Sequence, residues 1–321
     1  MSLLLTALFT ICCASKTAKL KPPPALGDEG RIPLELKILP SGDDLIVWGD
    51  MARIRRWPPA RNIMQKNEKT LQKLVARFRE VHGLDPWRDL DVILISAPLS
   101  GSERSMNLLL KGKGIKPSLM ESMGRIMEEM GTLKRTRYRE TALMEVGRMC
   151  IGFPDENTAA SSTGVWVRRL VDLMQGFPEE SVTENEDMMY IWRMLLSETM
   201  GNRAPALAAV AVVPHELSNR FSKELGTEVR FDSFGVRVSL GRWLGVAAVF
   251  RAPDKEHAEK LVAGLGRWAG TFFKSGWIVK SGMEELVRLL HVHSEGKYVY
   301  VQFSLPGELF EKIVKLIIAE K

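Results

Sequence analysis

The stretch Glu228-Val-Arg-Phe-Asp-Ser-Phe-Gly-Val-Arg-Val-Ser-Leu240-Gly-Arg-Trp-Leu-Gly-Val-Ala-Ala-Val-Phe-Arg251 decides the fold class. Val229, Phe231, Phe234, Val236, Val238 and Leu240 recur with the near-twofold period of a strand. Leu244 to Arg251 is a second apolar strand, and Gly241-Arg242-Trp243 is the turn that joins the two. So short a connection makes an antiparallel pair. Upstream, Leu207 to Val213 reads as a strand and His215 to Leu225 as a helix ended by Gly226. Downstream, Asp254 caps a helix running to about Phe273. Leu286 to His293 and Lys297 to Ser304 form a hairpin around Glu295-Gly296, and Pro306 starts a closing helix over Gly307 to Ala319.

The first half follows the same order. Leu45-Ile-Val-Trp48 is a strand after the Ser41-Gly42 turn, and Arg61 to His82 is an amphipathic helix that ends at Gly83. Asp91 to Ala97 and Met106 to Lys111 are strands, and Pro117 opens a helix closed by Gly131. Arg135 to Glu140 and Leu143 to Ile151 read as further strands, and Gly164 to Gln175 as a helix. The pattern predicts an α+β protein of two tandem, ferredoxin-like-related β-α-β-β-α-β-β-α repeats with antiparallel sheets. The expected boundaries are a targeting segment and tether at 1–30, a first repeat at 31–178, a linking helix at 179–203 and a second repeat at 204–321.

The chain has 321 residues, 45% hydrophobic and 26% charged, which excludes a disordered tail or a polytopic membrane protein. Its net charge of +6 is spread over the chain, with basic clusters at Arg53, Arg55, Arg56 and Arg61 and at Lys134, Arg135, Arg137 and Arg139. No zinc-finger spacing, aromatic RNA-binding motif or basic zipper accompanies them, so nucleic acid is not the expected partner.

Leu3 to Ala14 is an uncharged apolar run of signal-peptide length, too short to span a bilayer. Cleavage after Ala14 is one outcome, and lipid attachment at Cys12 or Cys13 is another. No Lys or Arg precedes the run, which leaves a cytoplasmic apolar N-terminus as the alternative. Ser15 to Gly30, with Pro22-Pro23-Pro24, is a polar tether. The expectation is export, to the periplasm or to a membrane held by the N-terminus. Cys150 is then the one cysteine of the body and is expected to be buried against Met149 and Ile151.

Gly83-Leu-Asp85-Pro86-Trp-Arg88-Asp89-Leu-Asp91-Val-Ile-Leu94 carries local chemistry of its own. Pro86 forces an extended turn, Asp85 and Asp89 can accept from nearby amides, and Arg88 can pair with either carboxylate. The phrase resembles a Gly-x-Asp-Pro-x-Arg-Asp-x-Asp pattern of uncharacterised two-repeat envelope proteins and lipoproteins of Gram-negative bacteria. That resemblance implies the envelope location and brings no activity with it.

Chemical constellations are sparse. His291 and His293 alternate on one strand face, a spacing that can offer two imidazoles to a metal, with His257 or Glu295 as a third ligand. Asp85, Asp89 and Asp91 lack the pattern of a calcium loop, and Ser161-Ser162-Thr163-Gly164 reads as a helix N-cap. No phosphate loop, nucleophile elbow or dinucleotide fingerprint is present, so no cofactor is expected. The surfaces expected to meet a partner are sheet edges, the patch Arg53, Arg55, Arg56, Trp57 and Arg61, and the methionine stripe Met120, Met123 and Met127. Trp57, beside Pro58-Pro59, is expected to be exposed. The function expected is a non-enzymatic, envelope-located subunit that binds another protein. The alternative is a ligand- or metal-dependent enzyme with a site between the repeats.

Overall fold

The computed structural model describes residues 32–66, 73, 75–80, 83–99, 105–197, 204–272 and 290–311. The expected targeting segment, with Cys12 and Cys13, lies outside the described residues, as does most of the closing helix. The chain divides into two compact units that meet in sequence between Glu186 and Asp187. Each is a mixed α/β unit on an antiparallel sheet.

The first unit starts with a short helix α1 (Leu34–Lys37), then β1 (Leu45–Asp50), α2 (Met51–Arg56), α3 (Pro58–Lys66), β2 (Leu90–Ala97), β3 (Asn107–Gly112) and α4 (Ile115–Met130). Four strands follow without a helix between them: β4 (Lys134–Tyr138), β5 (Thr141–Val146), β6 (Met149–Asp155) and β7 (Thr158–Thr163). The unit ends with α5 (Gly164–Met174) and a single 3-10 turn at Val182–Glu184. Its strands lie in the order β1-β2-β3-β7-β6-β5-β4, each pair antiparallel.

Two features of this unit differ from the sequence expectation. The stretch 143–151 is not one strand, because the chain turns at Gly147 (φ 56°) to make β5 and β6. Strand β7, Thr-Ala-Ala-Ser-Ser-Thr, falls where only a helix cap was expected. It has no bulky β-former, yet it lies between β3 and β6 and is largely buried. Small side chains suit a strand with helices close to it, and both α4 and α5 pack on β7.

The methionine stripe is core. Met127 is fully buried in a cluster with Leu84, Leu90, Ile115, Leu119 and Phe153, and Met120 and Met123 pack against that cluster. Of the described methionines on α4, Met130 at the helix end is the exposed one. The Asp85 turn behaves as read: Asp85 Oδ1 accepts from the amides of Trp87 (3.0 Å) and Arg88 (3.1 Å), and Asp89 Oδ2 accepts from the Asp85 amide (2.7 Å).

The second unit runs α6 (Glu186–Leu196), β8 (Pro205–Val212), α7 (His215–Leu225), β9 (Ser233–Leu240), β10 (Trp243–Arg251), α8 (Lys255–Phe272), β11 (Leu290–Glu295) and β12 (Tyr298–Pro306). The strand order is β11-β12-β10-β9-β8, again antiparallel throughout. The hairpin that opened the sequence analysis is β9–β10, with Val238 opposite Val246 and Phe234 opposite Phe250. One sheet face carries an aromatic cluster in which Phe221 and Phe231 join Phe234 and Phe250. The expected linking helix, α6, instead covers the other face. A Cβ on Gly235 would lie 2.6 Å from Ile191 and 2.7 Å from Leu195, so only glycine lets the helix sit there.

The strand orders correct the ferredoxin-like part of the expectation. A ferredoxin-like sheet interleaves its strands and sets the first and third side by side in parallel. In both units the first three strands are consecutive antiparallel neighbours.

Candidate functional site

A cleft of about 840 Å3 opens within the first unit. Asp43, just after the Ser41-Gly42 turn, and Asn107, at the start of β3, both line it. Asp43 is only 6% exposed and is held by a network drawn from three strands. Asn107 Nδ2 donates to both its carboxylate oxygens (3.0 and 2.7 Å), and Ser96 Oγ donates to Oδ2. Ser162 Oγ on β7 donates in turn to Asn107 Oδ1. Burial pushes the Asp43 carboxyl above its ordinary value, and the hydrogen bonds from Ser96 and Asn107 oppose that shift. The Trp166 indole N–H favours the carboxylate from nearby but falls short of a hydrogen bond, leaving that buried donor without an acceptor.

The walls come from the Gly147-Arg148 turn, from β5 and β6, and from the start of α5. Thr163 caps α5, its Oγ1 accepting from the Trp166 amide (3.4 Å), as the sequence suggested. Arg168 Nη2 lies 2.5 Å from Glu145 Oε1. A Cβ on Gly164 would meet Arg168 at 3.1 Å and Glu145 at 3.4 Å, so the bare glycine leaves room for that pair. Arg169 is tied to Glu179 (2.8 Å) and to the Ser41 hydroxyl (3.2 Å).

Cys150 is buried, at 1% exposure, but not as expected. Strand alternation points Met149 and Ile151 toward the core with α4, while Cys150 faces the opposite side and lines the cleft. Burial and the neighbouring Glu145 push its thiol up to about 12. It is therefore a protonated, poor nucleophile at neutral pH. Cys150 of the native protein, followed by peptide mass mapping, is expected to resist N-ethylmaleimide near pH 7, and in the denatured protein to react at once. Alkylation of the native thiol at the rate of a free cysteine would contradict this placement.

The other residues singled out from the sequence do not converge. Arg55 is a structural clamp: its guanidinium donates to the Trp87 carbonyl (3.1 Å) and the Leu90 carbonyl and pairs with Asp91. Arg53 closes the α2 cap on Asp50, its amide donating at 2.7 Å, and Arg56 bonds the Ala52 carbonyl at 3.1 Å. Arg61 is exposed, whereas Trp57 is 5% exposed and belongs to the core. The following prolines start α3 and fold Trp57 inward; Trp243, in the second unit, is the 37%-exposed tryptophan. His291 and His293 share a face of β11, with His293 stacked on Tyr300 (5.1 Å between centroids). Burial lowers the His293 pKa. His257 is engaged by Asp254 at 2.8 Å, and among the described residues no group of three or more His, Cys, Asp or Glu is placed to hold a metal. The expected metal site is thus not assembled.

A second feature was read only as a basic cluster. Strand β4 ends the strand order of the first unit, so one of its edges has no strand beside it among the described residues. Lys134, Arg135, Thr136 and Arg137 on it are all exposed. The β4–β5 turn uses Arg139 (φ 44°) and Glu140 (φ 64°), both left-handed without being glycine. Side chains near the end of α5 hold it there. The Arg139 guanidinium lies 3.5 Å over the Phe177 ring and 2.5 Å from Asp172, and Gln175 Nε2 donates to the Arg139 carbonyl (2.8 Å).

Among the described residues no helix is long and apolar enough to cross a membrane. No protein-family model matches this chain, nor does any curated protein sequence. Among solved structures, crystal forms I, III and IV of TP0453 resemble it with TM-scores of 0.42, 0.43 and 0.43. The identities are 10%, 11% and 10%, over 87% of this chain and 96%, 96% and 95% of those chains.

Proposed function

We propose that this chain is a non-enzymatic, envelope-located subunit that binds another protein, and that it does so by strand addition at the β4 edge. The observation that carries the reading is the exposed, basic, open edge of β4. The other expected surfaces are largely taken up: the Met120, Met123 and Met127 stripe is core, Trp57 is buried and Arg55 clamps the β2 bulge, which leaves Arg56 and Arg61 exposed. An extended segment can pair with free main-chain groups of an edge strand, and the basic side chains select an acidic one. The pinned turn at Arg139-Glu140 pre-forms the hairpin and lowers the ordering cost of binding.

The same reading takes the chain as two copies of one plan. In each unit three strands lie side by side in chain order, and the last strand returns beside the third: β1-β2-β3-β7 in one, β8-β9-β10-β12 in the other. Among the described residues the β4–β5 hairpin is what the first copy has in addition, which suits a part free to serve a partner. A non-enzymatic role is supported by the cleft chemistry, where Ser162 is spent on Asn107 and the Cys150 thiol stays protonated. Envelope location rests on the Leu3 to Ala14 run and on the resemblance of Gly83 to Leu94 to envelope proteins, with no cofactor or nucleic acid needed.

The test is hydrogen exchange with an alternating acidic/β-branched peptide and its basic counterpart. The acidic peptide is expected to protect β4 amides, less at high salt, and the basic one is not. Lys134→Glu with Arg137→Glu is expected to weaken binding at least tenfold while the fold is retained, since both side chains are exposed. Equal binding of both peptides, or protection elsewhere than β4, would sink the proposal.

A further inference from the structure

We propose that the β4 edge takes its partner in one register: an antiparallel strand whose main chain bonds Arg135 and Arg137 and whose carboxylate lies opposite Lys134. The register rests on the strand-addition reading and deepens it by naming what the edge selects. Two turns fix which main-chain groups are open. Arg139 and Glu140, at φ 44° and 64°, make a two-residue turn that closes on Tyr138 opposite Thr141. Residues flanking such a turn bond each other through their main chains, and bonded and non-bonded pairs then alternate along the ladder. Tyr138, Thr136 and Lys134 therefore spend their main-chain groups on Thr141, Leu143 and Glu145. The next turn gives the same answer independently. Gly147-Arg148 closes on Val146 opposite Met149, which turns Val146, Met144 and Ala142 toward β6 and leaves Thr141, Leu143 and Glu145 for β4. The amides and carbonyls of Arg135 and Arg137 accordingly point to the open edge. The Arg139 carbonyl, two residues on, is taken by Gln175 Nε2 (2.8 Å), so the open row ends at Arg137.

Side-chain charge selects the alternate residues. Arg135 is paired with Glu128 (2.8 Å), Arg137 with Glu140 (3.7 Å) and Arg139 with Asp172 (2.5 Å), so none of them is a spare cation. Lys134 is exposed and has no acidic partner among the described residues. Glu145, opposite it across the ladder, is committed to Arg168 (2.5 Å). Because the main chain of Lys134 turns inward, an added strand meets it as a non-bonded pair. In such pairs the Cα atoms approach to about 4.5 Å, against about 5.5 Å in bonded ones, and side chains lie closer. A Glu or Asp opposite Lys134 thus gains a close cross-strand ion pair. The residue opposite Thr136 shares that face and suits a β-branched side chain. In the antiparallel partner the acid follows that residue by two positions.

The experiment is residue-resolved amide exchange by NMR, on the protein alone and with the acetylated peptide Thr-Val-Thr-Val-Thr-Glu-Thr or its analogue with Lys in place of Glu. In the free protein the Thr136 and Tyr138 amides are expected to exchange slowly, and those of Arg135 and Arg137 fast. The Glu peptide is expected to slow Arg135 and Arg137, and the Lys peptide is not. Lys134→Glu is expected to invert the preference, the Lys peptide then binding at least fivefold tighter than the Glu peptide. Arg135→Glu and Arg137→Glu are expected to keep the original order. All three side chains are exposed, so each variant retains the fold. Slow Arg135 and Arg137 amides in the free protein would overturn the register whatever binds. Inversion by Arg137→Glu and not by Lys134→Glu would overturn the choice of Lys134 and leave strand addition standing. Protection of no β4 amide by either peptide would end the strand-addition reading and this register together.

Discussion

Gly112→Ala is expected to remove about 3–5 kcal/mol of stability, enough to leave much of the first unit unfolded near physiological temperature. A Cβ on Gly112 would sit 1.8 Å from the Asp89 carbonyl oxygen, 2.8 Å from its carbon and 2.9 Å from the Leu90 Cα. These are backbone atoms and cannot rotate away. The approach is close because β2 bulges between Leu90 and Val92, where the pairing shifts from Leu90 opposite Gly112 to Val92 opposite Lys111. The bulge is fixed on its other side by Arg55, which holds the Leu90 carbonyl and Asp91. It is fixed also by the Lys113 amide on the Asp89 carbonyl (2.9 Å). An added methyl must part β2 from β3 and break these bonds together. Gly114→Ala is the control: it has a positive φ of 62° but nothing within 4 Å of its Cβ, so it should cost only about 1 kcal/mol. Urea denaturation of both variants measures the contrast, and a Gly112→Ala loss no larger than that of Gly114→Ala would refute it.

That bulge also shows where reading a sequence reaches its limit. The alternation of Phe234 to Leu240 and the Gly241-Arg242 turn are local signals, and β9 and β10 form around them, although Val229 and Phe231, which the alternation also included, precede β9. Helix ends marked by Gly131 and Gly226 were equally legible. Strand β7 was not, because Thr158 to Thr163 has no β-branched or aromatic run; it is a strand through its neighbours on both sides and the helices on its faces. Trp57 misled for a similar reason. Three arginines and two prolines around it suggested solvent, but α2 and α3 turn the indole inward, at 5% exposure. The cleft was the least legible part. Asp43, Ser96, Asn107 and Ser162 meet across sequence separations of 53, 64 and 55 residues. Ser96 ends an apolar strand and Ser162 sits in what read as a cap, so no spacing signals the network. What was visible without the fold was the basic character of 134–139; its place on an open edge was not.

Asn107→Leu is expected to cost about 2–4 kcal/mol near pH 7, and less near pH 5. Asn107 is 2% exposed and bridges the network, donating to both Asp43 oxygens and accepting from Ser162. Leucine fits the volume but leaves the Asp43 carboxylate with the Ser96 hydroxyl as its remaining close donor and the Ser162 hydroxyl without its acceptor. The pH dependence follows from the proton on Asp43. Its folded-state pKa is already above the ordinary value, chiefly through burial, so the folded chain binds this proton more tightly than the unfolded chain does. Between the two pKa values the folded state holds more protons, and stability falls as pH rises through that window. Loss of Asn107 removes the hydrogen bonds that oppose the shift and raises the folded pKa further. The window widens upward, and the variant's deficit grows from pH 5 to pH 7. Ser162→Ala, which takes away only a donor to Asn107, should cost about 1 kcal/mol with little change in pH dependence. Denaturation curves of the three proteins at both pH values decide the matter. A deficit for Asn107→Leu that is flat or larger at pH 5 would mean that the Asp43 carboxyl does not hold its proton through burial as described.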